Sequence, residues 1–277
     1  TLRITNQAEL RSVMKHVRKE NKIKTIMITN VDDIVLDDSV KYFTRLEKIF
    51  CENVSFKHVS KKMSKLPKLK SINMRYVKNA ILLEPLFAVT SITDFKLVES
   101  DLEVIPSTVS NMKNLDSLHL SRNRIKEIPN EIFSLTKLTY LDLENNQIAH
   151  VSNEIGKCIN LRYLSLANNN LTELPASISE LSKLWRLFAN DNKITEIKFS
   201  FKKLDTLEEL HLQNNQITSI SNDIGEAEKL KKLYLSSNKL AIFPASVYKI
   251  KNLWPLSLSD NEISIIPSGI SSLNRVS

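Results

Sequence analysis

The chain has 277 residues, with 39 Lys and Arg against 31 Asp and Glu, a net charge of +8, and only three Gly and two Cys. No stretch approaches the roughly 18 uncharged apolar residues of a transmembrane helix. No glycine loop for phosphate is present and no Cys/His spacing suits a metal ion. The charge excess is confined to the first third: residues 1–100 carry 19 basic and 11 acidic side chains, residues 101–277 carry 20 of each. It concentrates around Lys15–Lys24 and Lys57–Lys70. There Lys57, Lys61, Lys62, Lys65 and Lys68 interleave with Val59, Met63 and Leu66, as a solvated outer face would. The same charge would also serve an acidic partner or an anionic surface.

Residues 1–22 stand apart from the rest of the chain. Leu2 and Ile4 alternate like a short strand, Asn6 with Glu9 forms a capping box, and Leu10, Val13, Met14 and Val17 mark one face of an amphipathic helix. The segment is expected to close the open core of the first coil behind it. The chain opens on Thr1 rather than Met, which points to an upstream segment having been removed.

From Ile23 onward a 23-residue unit repeats. Leu115 to Lys137 shows it in full: Leu115, Leu118, Leu120, Ile125, Ile128, Ile132 and Leu135 are apolar, with Asn123 between the third and fourth. The pattern restarts at Leu138, Leu161, Leu184, Leu207, Leu230 and Leu253, and backwards at Ile92, Leu69, Leu46 and Ile23, giving eleven coils in residues 23–277. Leu118 and Leu120 are two apart and share one face of a strand, while Ile128, Ile132 and Leu135 suit a helical or 3₁₀ turn begun by Pro129. Stacked coils predict an α/β solenoid, a horseshoe with a parallel concave sheet and convex short helical or 3₁₀ turns. Among the core positions only Asp33 and Asn79 are polar. The asparagine column reads Val31, Val54, Val77 and Ser100 before Asn123 begins the unbroken run, so looser turns are expected in the first four coils. Each Asn is expected to bond backbone of its own and the next coil, a structural role. Cys51 and Cys158 fall on core positions about five strands apart, too far to bridge within one molecule. Without flanking cysteine clusters, this leans towards a reducing compartment or a bacterial source.

Three side-chain columns face outward from the predicted strands. The middle one places His119, Asp142 and Ser165 on successive coils, but the carboxylate stands between the other two, which is wrong for a nucleophilic triad. The chain is therefore expected not to be an enzyme, and it needs no cofactor. The composition instead marks a band: Tyr140, Tyr163, Arg186, Phe188, His211 and Tyr234 run across coils six to ten. Tyr and Arg dominate binding hot spots because they bury large areas and still offer hydrogen bonds. A protein partner of a monomeric chain is expected there.

With its L-x-x-L-x-L-x-x-N-x-[IL]-x-x-[IL]-P-x-x-[IL]-x-x-L units, the chain resembles leucine-rich-repeat proteins of the Ras-suppressor-like class, and is similar to repeat-only bacterial proteins such as those of pathogenic spirochaetes. Proline is missing where the pattern expects it at Ser152, Lys198 and Ser221. The resemblance implies a non-enzymatic protein-interaction module that binds on its concave face, in a secreted or surface protein engaging host molecules. The basic amino-terminal third supports a different use, an adhesin for acidic carbohydrate or anionic surfaces.

Overall fold

The computed structural model describes residues 1–16 and 22–272. The chain forms two compact units, Thr1–Leu138 and Thr139–Ser277. Val17 lies outside the described residues.

The first unit begins with strand β1 (Leu2–Ile4) and helix α1 (Gln7–His16). Asn6 Oδ1 accepts the Glu9 N–H at 2.9 Å, and the Glu9 carboxylate accepts the Thr5 N–H at 2.8 Å. The reciprocal cap bond thus lands one residue earlier than a capping box places it. Strands β2 (Thr25–Leu36), β3 (Lys48–Val59), β4 (Ser71–Lys78), β5 (Asp94–Val98) and β6 (Ser117–His119) come next, all parallel, in spatial order β1 to β6. Their register repeats the sequence period, Thr25 opposite Lys48, Lys48 opposite Ser71, Ser71 opposite Asp94 and Asp94 opposite Ser117.

The early coils are not loose. Val31, Val54 and Val77 are buried where later coils carry asparagine, and the strands run on past them, to 12 residues in β2 and β3. A β-branched residue has no amide to close a turn and fits a strand, so the chain stays extended. Two core assignments change as a result. Asp33 and Asn79 are exposed, both in left-handed backbone (φ 56 and 59), and the apolar positions beside them, Ile34 and Ala80, turn inward. In β2 this coincides with a register shift between Val31 and Ile34, as a bulge would produce.

The second unit carries β7 (Tyr140–Asp142), β8 (Tyr163–Ser165), β9 (Arg186–Phe188), β10 (Glu196–Ile197), β11 (Glu209–His211), β12 (Ser219–Ile220), β13 (Lys232–Tyr234) and β14 (Leu256–Ser257). Its sheet has the order β7-β8-β9-β11-β13-β14, and Pro255 stands just outside the last strand. Short 3₁₀ turns such as Asn153–Lys157 and Ala176–Glu180 bring each coil back. The coil opened by Leu184 departs from this: instead of a 3₁₀ turn it carries β10, paired with β12 of the next coil. That coil is one of those lacking the expected proline, at Lys198.

The asparagines take the structural role expected of them, but they reach back to the preceding coil and not forward to the next. Asn169 Nδ2 donates to the carbonyls of Leu143, Leu166 and Ala167 at 3.0, 3.1 and 3.1 Å, while its Oδ1 accepts the Ile148 N–H at 3.0 Å. Asn192, Asn215 and Asn238 repeat the set. One amide thus satisfies buried backbone of two coils. The residue before it is left-handed in every coil: φ is 54 at Asn145, 52 at Asn168 and 57 at Asn214. Asn, Asp and Ser fill this column throughout the second unit, whereas the first unit has Asn30 and Asn53 and then Tyr76, Glu99 and Arg122 there.

Candidate functional site

The six residues of the band all lie in the second unit, and the 23-residue register builds two ring stacks, Tyr140–Tyr163 and Phe188–His211–Tyr234, which meet diagonally at a tilted Tyr163–Phe188 contact. Tyr140 and Tyr163 stack at 4.1 Å between centroids with planes 3° apart; Phe188 and His211 stack at 4.3 Å, and His211 and Tyr234 at 4.5 Å. Tyr163 meets Phe188 at 5.3 Å, tilted by 39°. His211 therefore has a stacked ring on each side, and Tyr163 and Phe188 each have one stacked and one tilted neighbour, so much of the ladder's face area is turned on itself and ring edges gain weight in what it offers outward. Ring edges carry the positive side of the aromatic quadrupole. Such a surface suits carbonyl oxygens and aliphatic groups, and it denies a ligand much of the face stacking that a sugar or a quaternary ammonium seeks. Burial pushes the Tyr163 phenol above its usual range and, first among several causes, does the same at Tyr140. Both hydroxyls stay neutral donors.

Arg186 stands beside the ladder, anchored twice. A terminal nitrogen lies 3.0 Å from a Glu209 carboxylate oxygen, and the guanidinium sits 3.8 Å over the Trp185 ring. Glu209 is the hub of the site, only 8% exposed, and Lys232 Nζ reaches it at 3.2 Å. Burial alone would raise its carboxyl, but the Lys232 hydrogen bond and the charges of Arg186 and Lys232 outweigh that and hold it below the usual carboxylate range. His211 Nε2 lies 3.5 Å from the same carboxylate, yet burial dominates and lowers the imidazole below its ordinary value. At neutral pH the cluster therefore holds a neutral ring between Phe188 and Tyr234, and one anion shared by two cations.

Outward columns are not uniformly exposed. Ser165 is fully buried, with no hydrogen-bond partner for its Oγ among the described residues, and Ala167 is buried too. A buried, unpartnered serine cannot serve as a surface nucleophile. In the first unit His119 Nε2 lies 2.8 Å from Ser117 Oγ of its own strand. Sequence reasoning passed over Glu209 and Trp185. The signal for Glu209 was its column, which reads Arg186, Glu209, Lys232; Trp185 sits one place before a strand, where alternation alone predicts nothing.

Two sequence profiles match the chain, one described as a leucine-rich repeat region over residues 130–230 and one as a leucine rich repeat over residues 90–148. The chain is a leucine-rich-repeat protein. Comparison with curated protein sequences finds no match. Among solved structures, a leucine-rich-repeat protein of Leptospira interrogans aligns over 98% of this chain and 99% of its own, at 19% identity and a TM-score of 0.61. An internalin from Listeria monocytogenes aligns over 99% of this chain and 77% of its own, at 24% identity and a TM-score of 0.79. A plant peptide hormone receptor in complex with RGF2 aligns over 99% of this chain and 45% of its own, at 25% identity and a TM-score of 0.80. These likenesses establish the repeat fold. Among the described residues of this leucine-rich-repeat chain, no helix is long and apolar enough to cross a membrane.

Proposed function

We propose that this leucine-rich-repeat chain is a non-enzymatic interaction module that takes a protein partner against the strand face of its second unit, as a bacterial secreted or surface protein engaging host molecules. The observation that carries the reading is the five-ring ladder with Arg186 locked beside it by Glu209 and Trp185. Preorganised rings and a fixed guanidinium lose little entropy on binding, which is what makes such residues hot spots. Structures similar to the chain include a receptor in complex with a peptide hormone and an internalin, which supports an interaction role.

The test is a crosslinking pulldown with the intact chain, followed by calorimetry with the captured protein. Tyr163→Ala, Arg186→Ala and Phe188→Ala should each weaken binding by about 1–3 kcal/mol, whereas Ser257→Ala and Ser259→Ala should change little. Circular dichroism checks that the variants fold. A second reading rests on the exposed lysines of the first unit: Lys57, Lys61, Lys62, Lys65 and Lys68 all face solvent. If neutralising Lys61, Lys62 and Lys65 removes binding while the triple ladder variant keeps it, the strand-face reading fails and the anionic-ligand reading takes its place.

A further inference from the structure

The ladder consumes much of its own ring-face area, but two indoles beside it do not. Trp185 and Trp254 are 40% and 39% exposed, and among the described residues neither stacks on another ring. They occupy the same position of the repeat, three coils apart, with Glu208 and Lys231 at the intervening positions. We propose that Trp185, Glu208, Lys231 and Trp254 form a second binding row, beside the ladder and sharing with it only the Trp185–Arg186 contact, for a linear chain of neutral hexopyranose sugars.

The row is rigid and its length is set by the backbone. The Glu208 N–H donates to the Trp185 carbonyl, the Lys231 N–H to Glu208 and the Trp254 N–H to Lys231, so the four residues are consecutive rungs of one ladder. Three strand spacings of about 4.8 Å separate the indole positions by about 14 Å, the span of an oligosaccharide rather than of one sugar. Trp185 is also fixed in orientation. The Lys231 hydrogen bond, and after it the Trp185 side chain, hold the Glu208 carboxyl below its usual range, and Arg186 covers one face of the indole. The sugar would pack on the opposite face of this part-exposed ring.

The chemistry of the row selects among ligands. A pyranose presents C–H groups that pack on an indole face and a rim of hydroxyls that donate and accept. Between the indoles, Glu208 and Lys231, paired at 2.8 Å, supply an acceptor and a donor for that rim. A peptide adding as a strand finds no free backbone here, since the rungs bond one another. A cationic ligand is disfavoured, because the guanidinium 3.8 Å over Trp185 already draws on the charge of that ring.

Trp185 and Trp254 are the two tryptophans of the chain, so fluorescence excited at the red edge, where the six tyrosines absorb little, reads this row. Cellohexaose and chitohexaose, titrated separately into the full chain, are the probes, with emission and acrylamide quenching followed. At least one should give a saturable blue shift and protection from quenching. Trp185→Ala, read through Trp254, should lower the apparent affinity about tenfold or more, the weight of one buried aromatic contact. Trp254→Ala, read through Trp185, should lower it several-fold, and Glu208→Gln, which keeps the side-chain shape, should also weaken it. Tyr163→Ala should leave it unchanged, separating this row from the ladder. No saturable change with either sugar, an equal response to a decaproline peptide, or an affinity that Trp185→Ala leaves unchanged would overturn the proposal.

Discussion

Asn168 and Asn169 are adjacent, identical in type and opposite in role. Asn169 is buried and makes four hydrogen bonds with backbone of two coils. Asn168 is exposed, but its φ of 52 places it where most side chains are strained. Asn169→Ala should therefore cost about 3 kcal/mol, since it strands several buried groups. Asn168→Ala should cost about 1 kcal/mol, the left-handed penalty that Asn tolerates better than Ala. Denaturant midpoints of the two variants check the order, and equal midpoints would refute it. The site residues carry a pH signature as well. The unfolded His211 takes its proton near 6.5, the folded one only at lower pH because it is buried. Between those values the unfolded chain binds more protons, so this contribution is complete above about pH 6.5 and shrinks as pH falls. Glu209 acts in the same direction at lower pH, because its carboxyl is held below the ordinary 4.5. Melting temperature should thus fall from pH 7 to pH 5. His211→Phe keeps the stack and should flatten that interval while leaving the acid-limb loss.

At the scale of the elements, the missing prolines have different causes. Ser152 opens its 3₁₀ turn at φ −67, a proline-like angle, and its hydroxyl accepts the Glu154 N–H at 3.2 Å. Ser221 instead donates its N–H to Ile197 at 2.8 Å, beside the β10–β12 pair. Ser152→Pro should stay within about 1 kcal/mol of the parent, whereas Ser221→Pro should lose about 3 kcal/mol. Urea melts of both variants read the contrast. At the amino-terminal end, Leu10 and Met14 are buried and line an apolar pocket with Ile4, Ile26, Ile28, Leu36 and Val40. Deleting residues 1–22 should expose that surface and cause aggregation, by the capping argument for solenoids. A truncated chain that sediments as a stable monomer would contradict it.

For the molecule as a whole, salt separates the uses of its two charge regimes. A partner held by the ring ladder gains from desolvated area and from a Glu209 network already internally paired. Raising ionic strength from about 0.05 to 0.5 M should change its affinity less than about threefold. A ligand held by the lysines of the first unit should weaken far more steeply. The repeat itself was legible without coordinates, because each coil restates the same apolar positions and a period of 23 leaves one way to stack them. That stacking also placed Tyr140, Tyr163, Arg186, Phe188, His211 and Tyr234 side by side, since registry across parallel strands is set directly by the period. Only the tertiary structure decided how those side chains use their neighbours. It stacked Tyr140 on Tyr163 and His211 between Phe188 and Tyr234, buried Ser165, and made Glu209 the anchor of Arg186. It also drew the valine coils out into long strands. The reason is physical: periodicity records which face a residue takes, whereas ring orientation, ion pairing and the left-handed turn depend on what stands in the coils on either side.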